Sequence, residues 1–299
     1  MARISKEKLE QYKQKIILVA KAFDSFCNEH DLRYFGIGGT AIGALRHGGI
    51  IPWDDDIDVI MPRPDYEHFL ELAPKCLSKD FDVLNYRNTT GFPTSFSKIC
   101  DANTTLIGDG RLRCVVGAFV DIFPLDGLPE LATDEARREY FNSCVKERKV
   151  AEAVSRHYNF TDLSHAIYRR DFEMVGHVLK SHYYHLKKRK PPLFAKWEQR
   201  IKSVDYESAN FVAYFGTFRG PKVVSPKEWF DSFYYVDFED FKLRLPIGID
   251  QYLTQVYGDY MTPPPENKRE LLHSYYYLNL DKRVSYEEAM HDLMAARKR

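Results

Sequence analysis

The stretch IPWDDDIDVI, Ile51 to Ile60, carries Asp54, Asp55, Asp56 and Asp58, four aspartates in five positions. Left bare, such carboxylates repel one another, and one of a close pair stays protonated. DIDVIM, with its alternating β-branched residues, predicts a strand. Side chains on a strand alternate faces, so Asp56 and Asp58 share one face about 7 Å apart while Ile57 and Val59 turn to the core. Two carboxylates so placed can share a hard divalent cation, whose further ligands are usually substrate phosphates. An isolated aspartate run reads first as a solvated turn. This pair lies inside an apolar alternating run, and other residues extend the pattern.

Upstream, GIGGT (Gly36 to Thr40) is a strand end followed by a helix start. Gly38, Gly39 and Thr40 there present backbone N–H groups to an anion, and the glycines let a phosphate approach closely. Downstream, FVDIFPLD sets Asp121 in an apolar strand, where a carboxylate is costly unless paired or metal-bound. Asp121 with Asp56 and Asp58 makes three carboxylates for Mg²⁺, or Mn²⁺ in its place, as one ion or two. Arg46 and Arg63 follow the glycine turn and the acidic strand; each is a bidentate phosphate clamp or a salt bridge to the aspartates. Lys98, in TSFSKIC, is a further phosphate contact. His47 has the chemistry of a general base, against a surface or capping role. Asp54 and Asp55 are expected at the strand's mouth, Asp126 in a turn. Trp53 or Trp229 could line a cage for a quaternary ammonium group, and His182 with His185 has helical metal-pair spacing but no third ligand.

These residues need a scaffold. Lys6 to His30 has helical apolar spacing. LRYFG, DIDVIM, FDVLNY, TSFSKIC and GAFVDIFPLD predict strands, the last stopped at Pro124; TAIGALRH and DYEHFLELAPKCL predict helices, Asp65 capping the second. Thr133 to Lys190 reads as mostly helical with Thr133 as cap, and a further helix covers Phe194 to Asn210. DQYLTQVYGDYM is a helix closed by Gly258. The prediction is an α+β fold, a mixed sheet flanked by helices. Residues 1–129 form the catalytic core with its N-terminal helix. Residues 130–299 are expected to form a mostly helical region packed back on that core, the part of the chain left to bind an acceptor substrate.

The 299 residues carry 43 Lys plus Arg and 43 Asp plus Glu, so no whole-chain field for nucleic acid exists. Five scattered cysteines point to a reducing compartment. The N-terminus reads as an amphipathic helix and not as a signal peptide. The expectation is a cytoplasmic protein; the basic run Lys187 to Lys190 reads first as a solvated helix end, with peripheral contact to the inner face of the cell membrane as the alternative.

Three blocks carry a resemblance: GGTAIGALRHGGIIPWDDDIDVIMPRPDYEHF, FVDIFPLD and YLTQVYGDYMTPPPENKRELLH. Together they resemble the LicD family of the nucleotidyltransferase (polymerase-β-like) superfamily, related to fukutin-type enzymes. The resemblance implies transfer of a phospho-alcohol, commonly phosphocholine, from a CDP-activated donor such as CDP-choline to a hydroxyl of a cell-surface glycan or its lipid-linked precursor. It implies Asp56, Asp58 and Asp121 as metal ligands, Gly38, Gly39 and Thr40 as the donor-phosphate turn, and draws in His273 from the third block. Alternatives are a CDP-ribitol or CDP-glycerol donor, nucleotidyl transfer from an NTP, and a non-catalytic nucleotide-binding protein.

Overall fold

A computed structural model describes residues 5–297, apart from 90, 93, 109–113, 157, 159, 188–192 and 270–274. The expected His273 and most of the basic run after Lys187 therefore lie outside the described residues. The chain opens with helix α1 (Lys6–Glu29), capped by the Ser5 hydroxyl, which accepts from Lys8 N. Strand β1 (Phe35–Gly36) feeds α2 (Gly38–His47), and β2 (Asp58–Pro62) feeds α3 (Arg63–Cys76). Strands β3 (Phe81–Leu84), β4 (Ser97–Asp101), β5 (Thr105–Ile107) and β6 (Phe119–Gly127) follow.

The main sheet runs β1-β2-β6-β4-β3. Its one parallel pair, β2 with β6, sets Asp58 opposite Asp121. β4 runs antiparallel to the first half of β6, with Lys98 opposite Asp121. Phe23 and Phe26 of α1 meet Phe69 of α3 edge-to-face, with centroids 5.3 and 5.6 Å apart. Ile57, Val59, Val120 and Ile122 are all buried, which anchors the register of the two acidic strands.

Helices α4 (Asp134–Ser155), α5 (Phe160–Tyr168), α6 (Phe172–Leu186) and α7 (Leu193–Ile201) come next. Thr133 caps α4 as predicted, its hydroxyl accepting from Ala136 N at 3.1 Å. Strands β7 (Phe211–Ala213) and β8 (Ser225–Pro226) then extend the sheet from the end of β6. The hairpin β9 (Phe233–Phe238) and β10 (Phe241–Pro246) lies beside β1, followed by α8 (Ile249–Tyr257), β11 (Tyr277–Asn279) and α9 (Tyr286–Arg297). The arrangement is α+β with a mixed sheet. Among the described residues no helix is long and apolar enough to cross a membrane.

Several local expectations are corrected. Pro124 does not end its strand: β6 continues to Gly127 with Pro124 opposite Met61, because proline removes only its own donor and its neighbours carry the pairing. The helix expected over Phe194 to Asn210 ends at Ile201. Asp65 does not cap α3. Its carboxylate accepts from Arg33 N at 2.8 Å and Arg33 Nε at 2.9 Å, tying α3 to the approach to β1. Asp126, expected in a turn, is buried on β6 and takes a fork from Arg63 at 2.6 and 2.7 Å.

Arg63 also reaches Glu67 at 3.1 Å and Glu198 at 3.5 Å, and Arg87 and Lys202 bridge to Glu67. Burial alone would push Glu67 up, but Arg87, Arg63 and Lys202 outweigh it and hold the group at about 2. Arg63 is thus the hub of a buried network. Arg63→Ala strands Asp126 without its guanidinium, and we expect a loss of about 3–5 kcal/mol in urea unfolding at pH 7. A loss below about 1 kcal/mol would show that the network is no more than a surface pair.

Candidate active site

The acidic stretch enters β2 in two steps. Asp54 N donates to Ile51 O at 2.8 Å, closing a turn, and Asp54 to Ile57 runs on in irregular structure until the strand begins at Asp58. Asp121 N donates to Ile57 O at 3.0 Å, so the ladder with β6 starts just before the assigned strand. Asp56 and Asp58 are half-buried, with Ile57 and Val59 wholly inside. That is the alternation expected of the sequence, reached with Asp56 two residues outside the strand.

The glycine turn lies against this stretch. Ile37 N donates to Asp58 O at 3.1 Å, and the Thr40 hydroxyl accepts from Asp58 N at 2.8 Å. Thr40 therefore spends its side chain on fixing Asp58, and its backbone belongs to the first turn of α2. Such a turn leaves its N–H groups without intrahelical partners. Gly38 has φ +58°, a conformation that side chains disfavour. A Cβ on Gly39 would lie 2.6 Å from Asp54 Oδ2, so Asp54 closes directly over the start of the helix.

Electrostatically, Asp54, Asp56, Asp58 and Asp121 form one group. Burial pushes the Asp58 carboxyl well above its usual value; Asp56, Asp121 and Asp54 push it further, and Lys98 opposes them. Lys98 Nζ bonds Asp121 Oδ1 and lies 3.4 Å from the Phe119 ring centroid. Among the described residues, no group of three or more His, Cys, Asp or Glu is arranged to hold a metal ion. The donor set is nevertheless all hard oxygen, with one ammonium set among the carboxylates, and this suits Mg²⁺ or Mn²⁺ better than a soft ion.

Asp55 does not share the mouth of the strand with Asp54. It is completely buried and accepts from Tyr275 O–H at 2.7 Å, with the Tyr12 ring 5.5 Å from that of Tyr275. It ties the acidic loop to α1 and to the chain entering β11.

A cationic rim adjoins the aspartates. Arg46 and Arg269 both lie over the Trp53 indole, at 5.9 and 4.8 Å from its centroid. Arg46 Nη1 donates to Tyr260 O at 2.7 Å, Arg269 Nε to Pro264 O at 2.8 Å. Burial and the charge of Arg269 lower the Arg46 pKa; burial, Arg46 and Arg269 lower that of His47. Guanidinium groups over Trp53 make it a poor wall for a cationic head group and a good flank for an anion. Trp229 packs against Gly248, at the entrance to α8, and Gly248 N donates to its carbonyl at 3.0 Å.

Arg63 is not brought to the site; it faces Asp126 at the other end of β2 and β6. His182 and His185 lie on α6, where their ring nitrogens meet Val178 O and Ser181 Oγ. Arg219 was missed. It lies 4.5 Å over the Tyr257 ring, and the Tyr257 hydroxyl lies 3.2 Å from where a Gly38 Cβ would stand. The sequence signal was GTFRG, an arginine in a glycine-bounded loop, with nothing in the spacing to link it to Asp58.

Residues 31–126 match the family model described as LicD/FKTN/FKRP, nucleotidyltransferase domain. Over 267 residues the chain is 29% identical to the lipopolysaccharide cholinephosphotransferase LicD of Haemophilus influenzae, covering 84% of this chain and 90% of that protein. Residues 31–126 thus match the domain that the LicD family shares. An uncharacterized protein of Rickettsia typhi is 39% identical over 59 residues, 20% of this chain and 18% of its own length. The yeast Mannosyltransferase regulator 4 is 24% identical over 144 residues, 46% of this chain and 12% of its own. The family segment contains the glycine turn, the four clustered aspartates and Lys98, whereas Arg219 and Arg269 lie beyond it.

The raised Asp58 pKa has a sign. A carboxyl held above its usual 3.8 in the folded state favours folding while protonated, and that advantage is lost as pH rises from about 4 through the folded value. Asp58→Asn removes the cost of ionising this group. In EDTA-treated protein its melting temperature should exceed wild type at pH 7, and the gap should close near pH 4. Equal melting temperatures at pH 7 would show that Asp58 carries no such burden.

Proposed function

We propose that this chain transfers phosphocholine from CDP-choline to a hydroxyl of a cell-surface glycan or its lipid-linked precursor, with Mg²⁺ as cofactor. The observation that carries the reading is the strand pairing of Asp58 with Asp121, beside Lys98 and the first turn of α2. The likeness to a lipopolysaccharide cholinephosphotransferase, over most of both chains, supports the choice of phosphocholine. The sheet would act as the nucleotidyltransferase-type platform that the family model describes.

In this reading Asp56, Asp58 and Asp121 hold the metal, which supplies charge neutralisation at the phosphates. The N–H groups of Gly38, Gly39 and Thr40 take donor phosphate oxygens, helped by the helix dipole. Lys98 moves from Asp121 toward the transferring phosphoryl group. Arg46, Arg269 and Arg219 flank the site and hold the remaining negative charge of the donor. The acceptor oxygen forms a bond to the choline-bearing phosphorus, the bond from that phosphorus to the CMP oxygen breaks, and CMP leaves. The acceptor proton passes to a carboxylate of the cluster. Catalysis is then mainly positioning and charge compensation.

The test is a panel of CDP-choline, CDP-ribitol, CDP-glycerol and CTP with Mg²⁺, with CMP and pyrophosphate measured separately. CMP from CDP-choline is expected, lost with EDTA and restored by Mg²⁺ or Mn²⁺. CMP from another CDP-alcohol alone would change the alcohol; pyrophosphate from CTP would overturn the reaction. Asp56→Ala or Asp121→Ala should lower turnover by about a thousandfold or more, with the far-UV circular dichroism unchanged. Arg269→Ala should raise KM for the donor about tenfold with little change in kcat, as loss of uniform binding does; an unchanged KM would remove Arg269 from the donor site.

A further inference from the structure

Among the described residues, fifteen large hydrophobic side chains are exposed, and seven of them fall within α5 and α6. On α6, Phe172, Leu179, Tyr183 and Leu186 stand at spacings of seven, four and three, within about 60° of helical arc. The same helix buries Val178 and Ser181 on its opposite side, where it packs on α4. On α5, Phe160 and Ile167 stand seven apart, and Tyr168 ends the helix. Phe160, Tyr168 and Leu186 are each more than four-fifths exposed, at 83%, 88% and 82%. One face of α6 thus fills an interface within the chain, and the other is apolar and stays exposed among the described residues. A run of apolar side chains this contiguous marks a surface that meets another phase or molecule.

Charge selects the occupant. Residues 156–190 carry eight Lys and Arg against three Asp and Glu, in a chain whose total is balanced. Lys180 and Lys187 flank the outer stripe of α6 at about 80° and 60° from Phe172, and Arg169 and Arg170 follow Tyr168 in the link to α6. Aromatic and aliphatic residues in the middle, with lysines and arginines at the margin, form the pattern of a helix lying in the interface of a bilayer. A soluble acidic protein would meet the cations and leave the apolar stripe in need of a matching groove. An anionic bilayer satisfies both at once, since its surface potential draws the cations and its acyl boundary takes the side chains.

We propose that the α5–α6 hairpin is a membrane-docking surface for anionic phospholipid bilayers. The outer stripe of α6 enters the interface, joined by Phe160, Ile167 and Tyr168, while Arg169, Arg170, Lys180 and Lys187 contact the lipid phosphates. The inference stands on this surface alone and holds whatever donor the acidic site uses.

The test is co-sedimentation of the full chain with vesicles of phosphatidylcholine alone and of phosphatidylcholine with phosphatidylglycerol. Binding is expected to the anionic vesicles and to weaken as salt is raised. The combined variant Phe172→Ser, Leu179→Ser, Leu186→Ser should bind those vesicles about tenfold or more less tightly, since each lost side chain removes interfacial burial. Arg169→Glu with Lys180→Glu should weaken binding similarly at low salt. Circular dichroism and the melting temperature report that each variant is folded, and the altered side chains face away from the core. Absence of binding to anionic vesicles overturns the proposal, and so does undiminished binding by the folded serine variant. A dimer in light scattering that the serine substitutions turn into a monomer assigns the face to a second copy of the chain and likewise overturns it.

Discussion

Asp58 and Asp121 lie opposite each other on parallel strands, and the arrangement of their neighbours follows from that pairing. Two carboxylates in register, with Asp54 and Asp56 close by, repel one another at a point where burial already disfavours charge. The register cannot slip to relieve this. A shift of one residue would turn Ile57, Val59, Val120 and Ile122 out of the core. Hydrophobic burial thus holds in place a charge arrangement that electrostatics alone would disperse. Lys98, delivered by the antiparallel neighbour to the same level of the sheet, is the chain's own partial answer.

The two ends of the β2–β6 pair show how differently one sheet can treat its charges. At the far end, Asp126, Glu67 and Glu198 meet Arg63, Arg87 and Lys202, anion for cation, in a network that closes α3 and α7 onto the strands. At the near end four carboxylates gather around one lysine, and guanidinium groups stand at the rim over Trp53 and Tyr257. The balanced end stabilises the fold. The unbalanced end lowers stability and is suited to a ligand that brings both positive and negative charge, as a metal-bound diphosphate does.

Some of the site was legible because its signals are local. The alternation of DIDVI, the glycines of GIGGT and the apolar frame around Asp121 all follow from periodicities of two or from glycine's freedom at positive φ. The capping of α4 by Thr133 and the ending of α8 at Gly258, whose φ is +75°, were legible for the same reason. Pro124 misled because a strand tolerates a missing donor when its neighbours still pair. Asp126 misled because its partner, Arg63, lies sixty-three residues earlier, and no pattern near LDG announces it.

The sequence by itself determined which residues could do chemistry: the aspartate run, the glycine turn, the strand aspartate Asp121 and a lysine three residues beyond Ser95. Residue type and short-range spacing carry that information, and the matching family segment is contiguous. Tertiary structure alone decided how those candidates divide. It sent Arg63 to Asp126 and Asp55 to Tyr275, kept Arg46 at the site, and added Arg219 and Arg269 from distant loops. The reason is physical. A side chain's role depends on which opposite charge or aromatic face it meets, and for long cationic side chains that partner is set by strand pairing and loop closure across tens to hundreds of residues.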